Sequence, residues 1–347
     1  MVPDPMNPYK DAYATPNGIG DGRPTALQVL IDNDSVGMYA GKVALITGGT
    51  SGIGFETVRA LRVTDADVYF TARSAEKAEK VSREILANSR GKGKLEVVIM
   101  DMDSLESVRN AAKSFLSRSS KLNILINNAG IMNTPYSKTV DGFERQFGVN
   151  HLAHYLLTML LLPVLETSST PELKSRVVCV SSSSHRHSKV NFDDLSPSEE
   201  NYNPVTAYGQ SKCANIWMAN YIDRVYGPRG VHCWSCGPGG IWTGLLAFTD
   251  PKIVADYKKD VDIQRNMQSA EQGCATQVWA ATAKVLEGNG GKYLHDCTIA
   301  PQEDGDLLSI MSNKAAPWVE GDTAAEEKLW EISAKLTGVP AYLSAPY

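Results

Sequence analysis

Tyr208-Gly209-Gln210-Ser211-Lys212 sets a phenol and an ammonium four residues apart, a spacing that shares one face of a helix. A unit positive charge about 4 Å from a phenol, at an effective dielectric near 20, is worth roughly 4 kcal/mol, or roughly three units on an unperturbed pKa of about 10. The expectation is a tyrosine partly ionised near neutral pH, able to give and take a proton. Such pairs also occur on inert, exposed helix faces, so the reading depends on what surrounds this one.

A second site for chemistry lies upstream. The short apolar run VALIT, beginning at Val43, leads straight into Gly48-Gly49-Thr50-Ser51-Gly52-Ile53-Gly54 and then into a helical pattern. Strand, glycine turn and helix together hold phosphates. Glycine allows positive φ and close backbone approach, and the helix offers unpaired N–H groups and the positive end of its dipole. Gly48, Thr50, Ser51, Gly52, Ile53 and Gly54 are therefore expected at a pyrophosphate. After the next strand, Thr71-Ala72-Arg73 lacks the carboxylate that would bind an unphosphorylated ribose. Arg73 suits a 2′-phosphate instead, so the expected cofactor is NADP(H). Asp101, followed by Met102 at the end of the third strand, could accept from the adenine amino group or serve only its own turn.

Asn127-Asn128-Ala129-Gly130 closes the fourth strand; the asparagines can bridge strand ends, while Ala129 and Gly130 leave room for a cofactor against the backbone. Asn150 sits inside the apolar run FGVNHLAHYLLTML, where its amide needs partners. The fifth strand ends in Ser181-Ser182-Ser183-Ser184-His185-Arg186-His187. A hydroxyl partner for Tyr208 should come from this end, and Ser182 is the choice among the serines. His185 and His187 have no second ligand cluster, and read as surface-loop positions rather than metal ligands. Cys233 and Cys236 read as buried strand cysteines. Beyond them, Pro238, Gly239 and Ile241 would border a nicotinamide, with Thr243 reaching its carboxamide or a phosphate.

The elements that must position these residues alternate. After VALIT come the strand ADVYFTA, a helix over 75–88, the strand LEVVIM, and a helix over about 104–117 with Asp103 as N-cap and Glu106 reaching back to it. LNILINN, a long helix over about 141–162, RVVCVSS, a strongly amphipathic helix over 208–226 and VHCWSC follow. A helix over 270–287, the strand GKYLH and a helix over about 324–336 finish the pattern. Such alternation predicts an α/β fold: a Rossmann-type, doubly wound parallel sheet of about seven strands, helices on both faces, in one domain over 41–300. Residues 1–40 read as an irregular extension with a short amphipathic stretch after Pro24 and no chemistry of their own; 301–347 read as a C-terminal extension carrying a helix. The mixed polarity of 244–268 suits a mobile lid over a substrate pocket.

A net charge of −5 without a Lys/Arg block argues against nucleic acid as a partner. Six scattered cysteines make no disulfide framework, and MVPDPMNPYK has no charged segment followed by an apolar core, which points to a reducing, cytoplasmic setting. The apolar stretch near 156–165 is too short for stable membrane insertion.

TGGTSGIG, NNAG, Asn150, Ser182, YGQSK and PGGIWT, in this order across about 42–300, resemble the short-chain dehydrogenase/reductase family. VNHLAHYLLT, VSSSSHRHS and the long segment before the tyrosine are similar to its retinol-dehydrogenase and WW-domain-containing-oxidoreductase branch, though no WW domain is visible. The N-terminal extension is similar to those of fungal members, many of which tailor secondary metabolites. The resemblance implies a tetrad. Tyr208 would donate a proton to a carbonyl oxygen as hydride arrives, and Ser182 would hydrogen-bond that oxygen. Lys212 would bind the nicotinamide ribose and lower the tyrosine pKa, and Asn150 would hold a water that links the lysine to solvent. The implied activity is NADP(H)-dependent reduction of a ketone or aldehyde, or oxidation of the alcohol, on a lipophilic small molecule. Dehydration, epimerisation, C=C reduction and a cofactor-sensing scaffold remain as alternatives. The apolar faces of helices 141–162 and 208–226 either pair in a homodimer, as family habit suggests, or pack within the chain.

Overall fold

The computed structural model describes residues 4–303 and 311–342. Its strands are β1 (Val43–Ile46), β2 (Asp67–Ala72), β3 (Leu95–Ile99), β4 (Ile124–Asn127), β5 (Ser175–Val180), β6 (Val231–Gly237), β7 (Gly240–Ile241), β8 (Met267–Gln268), β9 (Tyr293–His295) and β10 (Thr298–Ile299). Eight form one sheet in the order β10-β9-β6-β5-β4-β1-β2-β3. Every pairing in it is parallel except that of β9 with β10, a two-residue strand too short to show in the hydrophobic pattern, which is why the expected number was about seven. Strand order reverses at β1, between β2 and β4, and the crevice at the carboxyl ends opens there.

VALI has no polar face because both its faces are covered. Val43 and Leu45 join the core under helices Leu105–Leu116, Arg145–Ser168 and Pro204–Tyr226. Ala44 and Ile46 join the core under Gly52–Arg62, Ala75–Asn88 and Ala275–Thr282. The stretch after Pro24 forms the helix Ala26–Asp32, whose Ala26, Val29 and Leu30 are buried in this second core. Arg145–Ser168 is long and apolar enough to cross a membrane, but 89% of its most apolar window is buried inside the protein, as in a core helix.

Several boundaries differ from the sequence expectation. Ser104, not Asp103, caps its helix: the Ser104 hydroxyl accepts from Ser107 N, and the Asp103 carboxylate is drawn away to Arg145 at 2.8 Å. The long helix starts at Arg145 rather than near 141, because the Glu144 carboxylate caps the amides of Gln146 and Phe147. The tyrosine helix starts four residues earlier, at Pro204, where Asn203 accepts from Val205 N and Thr206 N. That helix is not amphipathic in place but buried nearly all round. The helix Thr323–Thr337 lies over it and over Arg145–Ser168, with Trp330 stacked on Tyr221 at 4.3 Å and edge-on to Tyr155 at 4.7 Å. Thr323–Thr337 thus covers part of the apolar surface of both helices. The expected helix over 270–287 is broken into Ala270–Gly273, Ala275–Thr282 and a final turn, Lys284–Leu286.

Candidate active site

The glycine turn is built by close approach. Gly48 has φ +73°, and a Cβ on it would lie 3.0 Å from the Ala129 side chain. A Cβ on Gly54 would lie 2.3 Å from the Gly48 carbonyl oxygen and 2.6 Å from Asn128 Nδ2. Only glycine lets the helix start so near the sheet. At its N-terminus Ser51 makes no side-chain cap, whereas Ser74, Ser104 and Asn203 cap theirs, so the first-turn amides at Gly52, Ile53 and Gly54 remain available to an anion. A dinucleotide pyrophosphate fits this cradle. Asn128 braces it: its backbone N–H donates to Thr47 Oγ1 and its Nδ2 to the Thr47 carbonyl, both at 2.8 Å, and Ala129 N donates to the same hydroxyl at 2.9 Å.

Arg73 stands exposed just after β2, with no ion pair among the described residues. Asp101 is exposed too, and its carboxylate accepts from Asp103 N at 3.1 Å, the local-turn role. The Met102 side chain is buried in the core. Pro238 and Gly239 follow β6; Gly239 has φ +83°, where a Cβ would meet Gln268. Ile241 lies in β7, while the Thr243 hydroxyl accepts from Leu245 N and its methyl lies 3.3 Å from where a Gly52 Cβ would be.

Asn150, Ser182, Tyr208 and Lys212 converge at the carboxyl ends of β4 and β5. Asn150 lies in a π-helical turn, Gly148–Leu152, within the long helix. Its Oδ1 accepts from Ile131 N at 2.9 Å, and its Nδ2 donates to the Ile131 carbonyl at 2.9 Å and to Ser211 Oγ at 3.0 Å. One Oδ1 lone pair is left. That oxygen and Lys212 Nζ lie 3.2 and 3.4 Å from the place a Gly130 Cβ would occupy, so the missing side chain leaves them a shared space. Lys212 Nζ donates to the Val180 carbonyl at 3.1 Å and sits 5.5 Å from the Tyr208 ring centroid. Of the serines, Ser181 is turned away to the Lys212 carbonyl, and Ser182 is the one whose hydroxyl acts on Tyr208, lowering its pKa.

The expected ionised phenol is not found. Burial pushes Tyr208 up to about 12, against the pull of the Ser182 hydrogen bond. Burial also draws Lys212 down to about 8. Desolvation acts on both partners, and the ammonium points at a backbone carbonyl rather than at the phenol oxygen, so the simple charge argument fails.

The histidine expectation is corrected as well. His185 is fully buried, because residues around Ala315 and Ala316 fold over it. Its Nδ1 donates to the Ser182 carbonyl at 2.6 Å and its Nε2 accepts from Ala316 N at 3.0 Å, which fixes the backbone of the site serine. A second positioning chain escaped sequence reasoning. His154 donates from Nδ1 to the Asn150 carbonyl at 2.9 Å and accepts from Thr47 Oγ1 at 2.8 Å, tying the tetrad to the glycine turn. Its signal was its place one turn after Asn150 in an apolar run.

A parallel sheet that reverses at a phosphate cradle, with a proton-carrying side chain across the crevice, is the arrangement of an oxidoreductase that uses a nicotinamide dinucleotide. Comparison with known proteins makes this specific. The short chain dehydrogenase family model matches residues 42–253. A short-chain dehydrogenase/reductase of Penicillium roqueforti, prx1, is 46% identical over 329 residues, covering 94% of each chain. Human retinol dehydrogenase 11 is 35% identical over 303 residues, covering 86% of this chain and 87% of its own. The crystal structure of an uncharacterized protein from Mycobacterium paratuberculosis superposes with a TM-score of 0.66 at 30% identity, covering 90% of this chain and 98% of that one. The chain belongs to the short-chain dehydrogenase family, and its activity is NAD(P)-dependent oxidoreduction.

Proposed function

We propose that this protein reduces a ketone or aldehyde group of a lipophilic small molecule with NADPH, and that Tyr208 gives the proton. One observation carries the reading: the phenol of Tyr208 is buried where Ser182 and Lys212 both bear on it beside the crevice, and burial raises its pKa. NADPH supplies the hydride when bound. Gly48, Thr50, Ser51, Gly52, Ile53 and Gly54 hold its pyrophosphate, with Asn128, Ala129 and Gly130 beneath. Ser182 donates to the substrate oxygen and holds it near the Tyr208 hydroxyl. Lys212 stabilises the phenolate left after transfer, and the space it shares with Asn150 Oδ1 at Gly130 suits a water that returns the proton. The substrate class is supported by Trp242, Leu245, Leu246 and Phe248 at the lid, and by a relative named for retinol, an apolar alcohol. Unpaired, buried cysteines suit a reducing, cytoplasmic setting.

The test is NADPH consumption, followed by absorbance, against decanal, menadione, retinal and further lipophilic carbonyls. Turnover with formation of the alcohol or quinol supports the reading. Product formed without net oxidation of NADPH would replace it with dehydration or epimerisation on the same scaffold.

Arg73 is proposed to select the phosphorylated cofactor, supported by its exposure, its place after β2 and the missing carboxylate. Arg73→Ala removes a hydrogen bond to a charged group, so the preference for NADPH over NADH should fall by about 10- to 100-fold. Titration of both cofactors against the variant measures this, and an unchanged ratio rules Arg73 out.

A further inference from the structure

Arg23 is almost wholly buried at 5% exposure, although it belongs to a segment in which sequence reading finds no chemistry. Its guanidinium is spread over the backbone at the end of the 244–268 segment. Nη1 donates to the Asn266 carbonyl at 2.8 Å, and Nη2 to those of Met267 at 2.7 Å, Gly18 at 3.2 Å and Arg265 at 3.4 Å. Nε donates to both oxygens of Asp21, at 2.9 and 3.0 Å. Burial pushes the Asp21 carboxyl up, but the Arg23 guanidinium and the amides of Asn17 and Arg23 hold it below its ordinary value.

The carbonyls that Arg23 holds are at a junction. Met267 and Gln268 form β8, which pairs with Gly240 and Ile241 of β7, so the two ends of the lid are laced together at this point. Gly18 N donates to the Arg265 carbonyl at 2.8 Å, and the Gln272 side chain donates to the carbonyls of Asp21 and Arg23 while accepting from Gly20 N. Beyond the junction, the short helices Gly244–Phe248, Pro251–Lys259 and Val261–Asn266 contain no buried residue. A groove lined by Ile19, Lys258, Val261 and Gln264 separates them from the N-terminal strap. With so little packing of their own, these helices take their position from the hinge.

We infer that Arg23 is a positioning residue: by holding the carbonyls of Arg265, Asn266 and Met267 it sets where the 244–268 segment lies over the crevice, and so which substrates the crevice accepts. This rests on the reading of 244–268 as the substrate lid. Its own content is that the N-terminal strap, which makes no contact with the tetrad among the bonds described above, tunes substrate binding rather than proton transfer.

The test uses Arg23→Met, which keeps the length of the side chain and removes every donor, in the full chain with NADPH bound. Hydrogen exchange of peptides within 244–268 should speed up by about 10-fold or more, while peptides from the sheet keep their protection. The KM of whichever carbonyl of the panel turns over should rise by about 10-fold, with kcat and NADPH affinity changed by less than about twofold. Arg23→Lys, which can reach one carbonyl where arginine reaches several, should restore part of both effects; it carries the same measurements if the methionine variant fails to fold. Unchanged lid exchange in a folded variant overturns the role of Arg23. Faster exchange with an unchanged KM overturns the reading of the segment as a substrate lid while leaving the hinge intact.

Discussion

Tyr208→Phe is expected to lower kcat/KM for carbonyl reduction by about 1,000-fold while leaving NADPH affinity within about threefold of the parent. The substitution removes one oxygen from a fully buried ring, so the packing of helix Pro204–Tyr226 stays intact. Lys212 keeps its hydrogen bond to the Val180 carbonyl, and Ser182 keeps its capping bond from Ser184 N. What disappears is the proposed proton donor. Because burial pushes the phenol up to about 12, it is protonated at every physiological pH and ready to act as an acid. Reduction should therefore vary little between about pH 6 and 8, whereas alcohol oxidation, which needs the phenolate, should climb as the pH rises. Steady-state rates in both directions across that range check the assignment. A phenylalanine variant that retains more than about a tenth of the parent rate would assign the proton to another group.

The second large effect concerns acid. His151, His154 and His185 are each buried and neutral, and burial draws them down to about 3, 4 and 3. The hydrogen bonds explain why protonation is resisted. His185 Nε2 faces the donor N–H of Ala316, and His154 Nε2 faces the Thr47 hydroxyl, so a second ring proton would break each contact. In the unfolded chain the same imidazoles bind protons near pH 6.5. Between that value and about 4 the unfolded state thus holds more protons than the native one, and stability falls as the pH is lowered. Each group is worth on the order of 3 kcal/mol at the bottom of the window, and three of them rival the ~5–15 kcal/mol by which a domain is stable. Glu144 and Glu166, whose carboxyls burial pushes up, act in the opposite direction and offset part of the loss. Urea midpoints followed by circular dichroism should decline steeply below about pH 6, with cooperative unfolding before pH 4. A midpoint constant from pH 7 to 4 would mean that these rings are not held neutral.

How far the sequence could be read depended on whether partners were local. The glycine turn, Asn128 and the Tyr208 to Lys212 spacing were legible, since each is defined within a few residues by turn chemistry or helix periodicity. Ser182 was chosen from a run of four serines that local spacing does not separate, and the bond from Ser181 to the Lys212 carbonyl explains why that neighbour is turned away. The state of Tyr208 was misjudged because spacing gives the direction of an ion pair and not the depth of its burial. His185 was assigned to the surface because the segment that covers it, around Ala316, lies 131 residues away. Arg23 was passed over for the same reason: its hinge contacts are with carbonyls of residues 265–267. The helix Thr323–Thr337 was expected, yet nothing local said that Trp330 would stack on Tyr221.

The N-terminal strap has a further consequence, for biosynthesis. Arg23 bonds the 265–267 carbonyls, Tyr39 donates to the Thr282 carbonyl, and the Met6 carbonyl accepts from Thr298, pairings of residues between 242 and 292 positions apart. This stretch therefore leaves the ribosome well before the residues that it binds. At ~5–20 residues per second the wait is roughly ten seconds to a minute. Throughout it, the apolar side of Ala26–Asp32 has Gly52–Arg62 to pack on but lacks Ala275–Thr282, and a chaperone that shields Val29 and Leu30 would be guarding the segment whose neighbour Arg23 later bonds residues 265–267.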